Sequence, residues 1–454
     1  MRCVLCLKWY AGVSIFRCLH FNIALSVSKF EENMERPVVD EIYEILVNGD
    51  LERLENISRP QDAVYIRTVI STESSNAAGL HINLEDITNK APWITPLFIG
   101  PKVFLNSAST ALQSHLTGGQ SSVPIDWSFS FDSNVGERVR AYVNHENINK
   151  KDQDRIITLI KLKKEYSLQT DLVPFLFENL RLSREDNKNL RPLNTILAFK
   201  KLDHIDWESF EKDPYKPKFM CNEQELLKES EEDYESFVTN EEVKNREYKA
   251  VFTQIILFEL AILWLKNPAK PDEVFRKLID FCVLQLGKLP KYELLVALQF
   301  LEKPKRVRFF GPVADVAKNI ETALKGMAWD ISHMRTLETM STITALGSFF
   351  LPFFVSFDDK FSEILKLNQI NFLVIDDRLK RMHSASIHEL HFQIKLNECM
   401  SEEVLSKSSH KESEMRKQYT LPINDLQHIL KHQEVTLKAI ADEVRASKKA
   451  KRNA

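Results

Sequence analysis

Along most of the chain apolar residues recur three and four positions apart, the spacing of helices with one buried face. This spacing predicts one or two short amphipathic helices over 38–56, and further helices over 135–143, 152–164 and 172–180, the last with Pro174 in its first turn, where a missing N–H costs nothing. Residues 125–134 break the pattern. Trp127, Phe129 and Phe131 alternate with Ser128 and Ser130, which predicts a strand ending in Asp132-Ser133-Asn134. Residues 349–355 are continuously apolar and too short for a surface helix, which suits a buried strand of a parallel sheet. That run stops at Ser356-Phe357-Asp358-Asp359-Lys360, and a shorter one, 370–375, stops at Asp376-Asp377. Through 327–337 the helical period returns, with Trp329, His333 and Leu337 on one stripe.

These textures divide the chain. Residues 34–125 read as a small appended region, partly β, in which Pro92, Pro96, Gly100 and Pro101 exclude a long helix and Gly118-Gly119 marks a turn. Residues 126–400 read as one α/β domain carrying a mostly α-helical insertion over about 182–320. Residues 401–417 are polar; 426–444 form a C-terminal helix with Leu426, Ile429, Leu430 and Leu437 on one side, ending in a basic tail. Residues 1–33 are apolar but broken by Lys8, Arg17, His20 and Lys29, a poor signal peptide, and read as a leader or a mis-assigned start ahead of Met34.

Composition narrows the chemistry. Only 11 of 454 residues are Gly, and no P-loop, G-x-G-x-x-G or G-x-S-x-G occurs, so nucleotide-triphosphatase, dinucleotide and serine-hydrolase readings lack support. A net charge of −3 exerts no global pull on nucleic acid, so such a partner must be held by metal ions or a local basic patch. The basic cluster 303–308 (KPKRVR) is an interhelix loop or a phosphate contact, and the acidic stretch 221–247 is a solvated helix face or a loop. Six cysteines without a metal-binding pattern suit a reducing, cytoplasmic setting. No stretch reaches the roughly 18 uninterrupted apolar residues of a membrane span. His388-Glu389-Leu390-His391 lacks the spacing of a zinc-protease helix.

Four acids stand where ligands gather in open α/β sheets, at strand ends and on the adjoining helices. They are Asp132 and Asp358 at the ends of the two strong strands, Glu178 in the third helix, and Asp330 in the helix before the Phe-rich strand. Carboxylates in this number suit Mg²⁺ or Mn²⁺, which take hard oxygen ligands and keep waters. Each acid also has a plainer role available. Asp132 can cap the helix after it, Glu259 or Glu293 can replace Glu178, and Asp359 can replace Asp358, since neighbours on a strand face opposite sides. His333 and Arg335 are candidate phosphate contacts, although His333 also fits a buried stripe. Asn134 and Ser356, on the substrate side with them, would donate hydrogen bonds that orient the acids.

The order of these pieces resembles the PIN-like nuclease domain. Asp132-Ser133-Asn134 matches its strand-end D-x-N, Glu178 in PFLFEN its early-helix Glu, and Asp330 in AWDISHMR its late-helix Asp. Ser356-Phe357-Asp358-Asp359-Lys360-Phe361 matches its closing S-x-D-x-x-F. The resemblance covers about 126–180 and 320–378, leaving an insertion unusually large for that family. It implies a parallel sheet flanked by helices, with Asp132, Glu178, Asp330 and Asp358 as catalytic metal ligands. It also implies Mg²⁺- or Mn²⁺-dependent endonucleolytic cleavage, of RNA more often than DNA. The alternative is a largely helical interaction module without catalysis, whose binding surfaces would be 221–247 and the C-terminal helix.

Overall fold

Two sheets grow from interleaved parts of the chain. The computed structural model describes residues 3–8, 37–73, 82–117, 120–185, 189–342, 349–406 and 421–453. Most of 1–33, the Gly118-Gly119 turn and most of 401–417 lie outside the described residues. The strands are β1 (Cys3–Lys8), β2 (Ile66–Thr72), β3 (Ile82–Asn83), β4 (Ile94–Pro96), β5 (Lys102–Ser107), β6 (Gln120–Phe131), β7 (Gln169–Asp171), β8 (Phe349–Val355), β9 (Ile370–Asp376) and β10 (Arg381–Ser386).

The first sheet runs β1-β6-β8-β4, with β7 also beside β6. β6 pairs in parallel with β8 and β7, whereas β1 and β4 add antiparallel. The second sheet, β10-β9-β2-β5-β3, is antiparallel throughout. The chain is therefore mixed α/β, and the single parallel sheet expected from the sequence is corrected in two ways. Only the centre of the first sheet is parallel, and the 370–375 run joins the other sheet. That run could not be assigned in advance, because a buried strand reads the same whichever direction its neighbour takes.

Residues 34–125 are not an appendage. Their strands β2, β3 and β5 form one sheet with β9 and β10, and β4 edges the other. The turn after β4 stitches the two sheets together. Leu97 N donates to Pro352 O at 3.2 Å, Ile370 N to Leu97 O at 2.9 Å, and Ile99 N to Ile370 O at 2.9 Å. Pro96 is tolerated because β4 is an edge strand, where a missing donor faces no partner.

Between 182 and 320 the described residues form helices, with strand-like pairing limited to one isolated bridge, Ile205 with Phe219. The Glu241–Lys266 helix is the centre of this part and packs on the Ile320–Met340 and Ile423–Asn453 helices. Contrary to the sequence reading, its Glu242–Lys266 stretch is long and apolar enough to cross a membrane by length and composition. Here its apolar side chains supply core instead: Ile255, Ile256, Leu257, Phe258, Leu260 and Ala261 are fully buried. The acidic stretch forms the Glu223–Val238 helix, whose acids meet Lys200 and Lys201, the solvated face of a packed helix.

Two helices bear directly on the acids, Ser133–Val143 and Val173–Glu185. They approach closely at Gly136, where a β-carbon would stand 2.6 Å from the Phe175 ring. That ring is fully buried and has nowhere to turn. Gly136→Ala should therefore destabilise the protein by about 1–3 kcal/mol, the cost of overpacking a filled core. The measure is a lower urea midpoint at unchanged slope; an unchanged midpoint would mean that the two helices slide apart freely.

Candidate functional site

The site starts from strand register. Phe131 of β6 lies opposite Val355 of β8, and Asp132 N donates to Val355 O at 3.1 Å. Two parallel strands in this register end side by side, so Asp132 meets Ser356, the first residue past β8. Ser356 Oγ donates to Asp132 Oδ2 at 2.5 Å, and Asn134 Nδ2 donates to the same oxygen at 2.5 Å. Asn134 Oδ1 accepts from Phe357 N at 3.2 Å, and Ser356 Oγ accepts from Asp358 N at 3.1 Å. The two strand ends are thus tied by side chains as well as by the ladder.

Both strands turn at once into helices, and the aspartate at each turn is the cap. Asp132 caps Ser133–Val143 and Asp358 caps Asp359–Leu367, accepting from Lys360 N at 2.7 Å and Phe361 N at 3.2 Å. Capping and membership of the acid cluster are therefore not rival roles here. A helix N-terminus carries partial positive charge, so it steadies a carboxylate held beside other carboxylates.

The remaining acids come from elsewhere. Glu178 projects from the Val173–Glu185 helix, accepts from Ser133 Oγ, and has His333 Nε2 at 3.3 Å from its Oε2. Asp330 sits one turn before His333 on the Ile320–Met340 helix. Asp132 is pushed up to about 6, mainly by burial and further by Glu178, with Ser356 and His333 opposing. Part of the Asp330 surface faces solvent. Burial, then Asp132, Glu178 and Asp358, raise its carboxyl well above the ordinary carboxylate range. Among the described residues Asp330 makes no hydrogen bond or ion pair. Asp132, Glu178 and Asp358 thus all lie within electrostatic reach of Asp330.

The structure decides between the alternatives. Glu293 is fully buried against Arg335 at 2.7 Å and Thr253 at 2.6 Å, and Glu259 accepts from Gln433 at 3.0 Å, so neither replaces Glu178. Asp359 is exposed, 3.9 Å from Arg155, and Asp358 is the one coupled to Asp330. Two candidate phosphate contacts are corrected. His333 is 1% exposed between Trp329 and Phe354, so it supports Glu178 from below. Arg335 lies about 140° around the helix from Asp330 and is spent on Glu293. Ser356 is buried and Asn134 exposed, and both orient Asp132. The sequence reading missed Asp171 at the end of β7. It accepts from Ser130 Oγ at 2.7 Å and Val173 N at 2.9 Å, is pushed up by burial to about 6, and fixes the start of the helix that carries Glu178.

Among the described residues no three His, Cys, Asp or Glu groups stand close enough as placed to share one ion directly. The donor set still fits Mg²⁺ or Mn²⁺. Such ions keep several waters and need one or two direct carboxylates. The unpartnered Asp330 carboxyl among three other acids is relieved by a cation. The set does not fit a structural zinc site, which takes a closed shell of Cys and His. A groove of about 720 Å³ is lined by Asp358, the one of the four acids on its wall, and by Asn134, which bonds Asp132. Comparison with known proteins finds no matching family model, no matching curated protein and no matching solved structure.

A pH dependence follows. A carboxyl held at about 6 in the fold and roughly 3.9 when unfolded binds its proton more tightly in the native state. Its stabilising protonation is complete below about pH 4 and is lost as pH rises through about 6. Asp330 shifts in the same direction. Asp330→Asn removes one such group, so its thermal midpoint should equal or exceed the wild type's at pH 8, with the gap closing towards pH 5. A variant that melts lower by the same margin at both pH values would give Asp330 a purely structural role.

Proposed function

We propose that the chain is a metal-dependent endonuclease of PIN-like type, hydrolysing phosphodiester bonds with RNA favoured over DNA. The observation that carries this reading is the gathering of Asp132, Glu178 and Asp358 within electrostatic reach of Asp330, which makes no hydrogen bond or ion pair among the described residues, with Asp358 lining an open groove. A bound Mg²⁺ or Mn²⁺ would supply Lewis-acid activation of water and charge neutralisation at the phosphate.

The residues divide the remaining work. Asp330 and Asp358 would be the principal ligands, since Asp330 has no competing partner and Asp358 borders the groove. Asp132, fixed by Ser356 and Asn134, would hold its carboxylate in one orientation through those donors. Glu178, between Ser133 and His333, is placed to accept a proton from attacking water, with His333 steadying the negative charge. The parallel centre of the first sheet, with acids at its carboxyl edge, supports the PIN-like assignment; the antiparallel strands on either side are additions to it.

Titration calorimetry with Mn²⁺ tests the site. Wild type should bind, and Asp132→Asn/Asp330→Asn should not. Asp330→Asn should abolish cleavage of RNA, while Ser356→Ala, which removes one of the two side-chain donors on Asp132 Oδ2 and the acceptor of Asp358 N, should cost roughly 10–100-fold in metal affinity or activity. A folded wild type that neither binds Mn²⁺ nor cuts RNA or DNA would favour the non-catalytic interaction module. The absence of any three groups already close enough to share an ion is the observation on that side.

A further inference from the structure

The groove that Asp358 lines is cationic for reasons that no local pattern supplies. Arg138 comes from the helix after β6, Lys151 and Arg155 from the Lys150–Tyr166 helix, Arg308 from the basic cluster, and Lys360 from the helix after β8. Five cations from four segments line one groove against three acids, Asp152, Asp358 and Asp359. Arg138 lies 3.3 Å from Asp152, Arg155 3.9 Å from Asp359, and Arg308 2.6 Å from Glu363. Lys151 and Lys360 have no ion pair among the described residues. Exposed pairs of this kind are worth at most about 1 kcal/mol, so a phosphate can displace them at little cost.

An aromatic ring stands in the same groove. Phe357 is half-buried, its ring edge-on to Trp93 at 5.2 Å, with the Arg155 guanidinium 4.9 Å from its centroid. Guanidinium and ring together make a platform on which an unpaired base can stack, which a base inside a duplex cannot use. Phe357 N is also bonded to Asn134, which holds Asp132, so the platform is fixed relative to the acids.

We infer that this groove is the track for single-stranded nucleic acid, with Arg138, Lys151, Arg155, Arg308 and Lys360 meeting backbone phosphates and Phe357 stacking a base. The inference deepens the nuclease reading and rests on it for the strand's passage to Asp358, the acid that lines the groove.

The test is fluorescence anisotropy of a labelled 12-nucleotide single-stranded RNA of mixed sequence on the full chain, with EDTA present so that binding is read without cleavage. Lys151→Glu/Lys360→Glu should weaken binding at least tenfold. It should also lower the slope of log affinity against log salt by about 1.4, some 0.7 per lost single-strand phosphate contact. Lys216→Glu/Lys218→Glu, an equal charge change on exposed residues that do not line the groove, should do neither. Phe357→Ala should weaken binding about tenfold at unchanged salt slope, since stacking is not ionic. A fully paired duplex of the same sequence should compete poorly. Asp330→Asn should bind like the wild type while failing to cut.

No binding by the folded wild type, equal losses in groove and control variants, or a duplex that competes as well as the single strand would each overturn the inference. The nuclease reading fails separately. If wild type with Mn²⁺ cuts RNA while the groove variants bind and cut normally, the groove falls and the nuclease stands. If RNA binds through the groove and no metal brings cleavage, the groove stands and the nuclease falls.

Discussion

The parallel register of β6 and β8 is the constraint on which the rest depends. Because Phe131 and Val355 lie opposite, the two chains leave the sheet together, and Asp132 must meet Ser356. A one-residue slip of β6 would exchange the places of Phe129 and Phe131 with those of the buried Ser128 and Ser130 and carry Asp132 to the other face. The register is therefore fixed by burial of aromatic rings that have no part in the site. Phe129 and Phe353, with centroids 6.3 Å apart and both fully buried, make one of the cross-strand contacts that hold it.

Collecting four carboxyl groups around that point works against stability, since each is dearer to bury when the others are charged. Part of the offset is local: both strand-end aspartates cap helices, and Ser133, Ser356, Asn134 and His333 each give a donor or a ring nitrogen to an acid. The rest is global. Asp330 is held among the acids because its helix is clamped elsewhere, by Arg246 on Thr336 and by Arg335 on the buried Glu293. The Arg335–Glu293 pair does not need to be strongly favourable to do this. Breaking it would leave a charge stranded in the core, and that penalty keeps the helix in place.

The helices between 182 and 320 thus frame the helix that carries Asp330. Glu241–Lys266, with a largely apolar middle, packs against both the Ile320–Met340 helix and the C-terminal helix. The second sheet plays a comparable part for β8. Through the 97–99 stitch it fixes the strand that ends at Asp358 to β9 and to the N-terminal strands.

The sequence by itself determined the local units. Alternation through 125–131 and the apolar run 349–355 each specify a strand ending in acids, and Asp132 before a helical period specifies a cap, whereas the helix that Asp358 caps came only with the structure. Asp132, Asp330 and Asp358 could be picked from side-chain chemistry a few residues apart. What only the tertiary structure decided was every question of partnership. Periodicity reports that a strand is buried, not whether its neighbour runs parallel, so 370–376 could be found but not placed in its sheet. Glu178, Glu259 and Glu293 are alike as helix acids, and only the packing of distant helices sends Glu293 to Arg335 and Glu178 to Ser133 and His333. The cations of the groove lie up to 222 positions apart in the chain, Arg138 to Lys360, and charge at that separation becomes one surface only when the strands between them have paired.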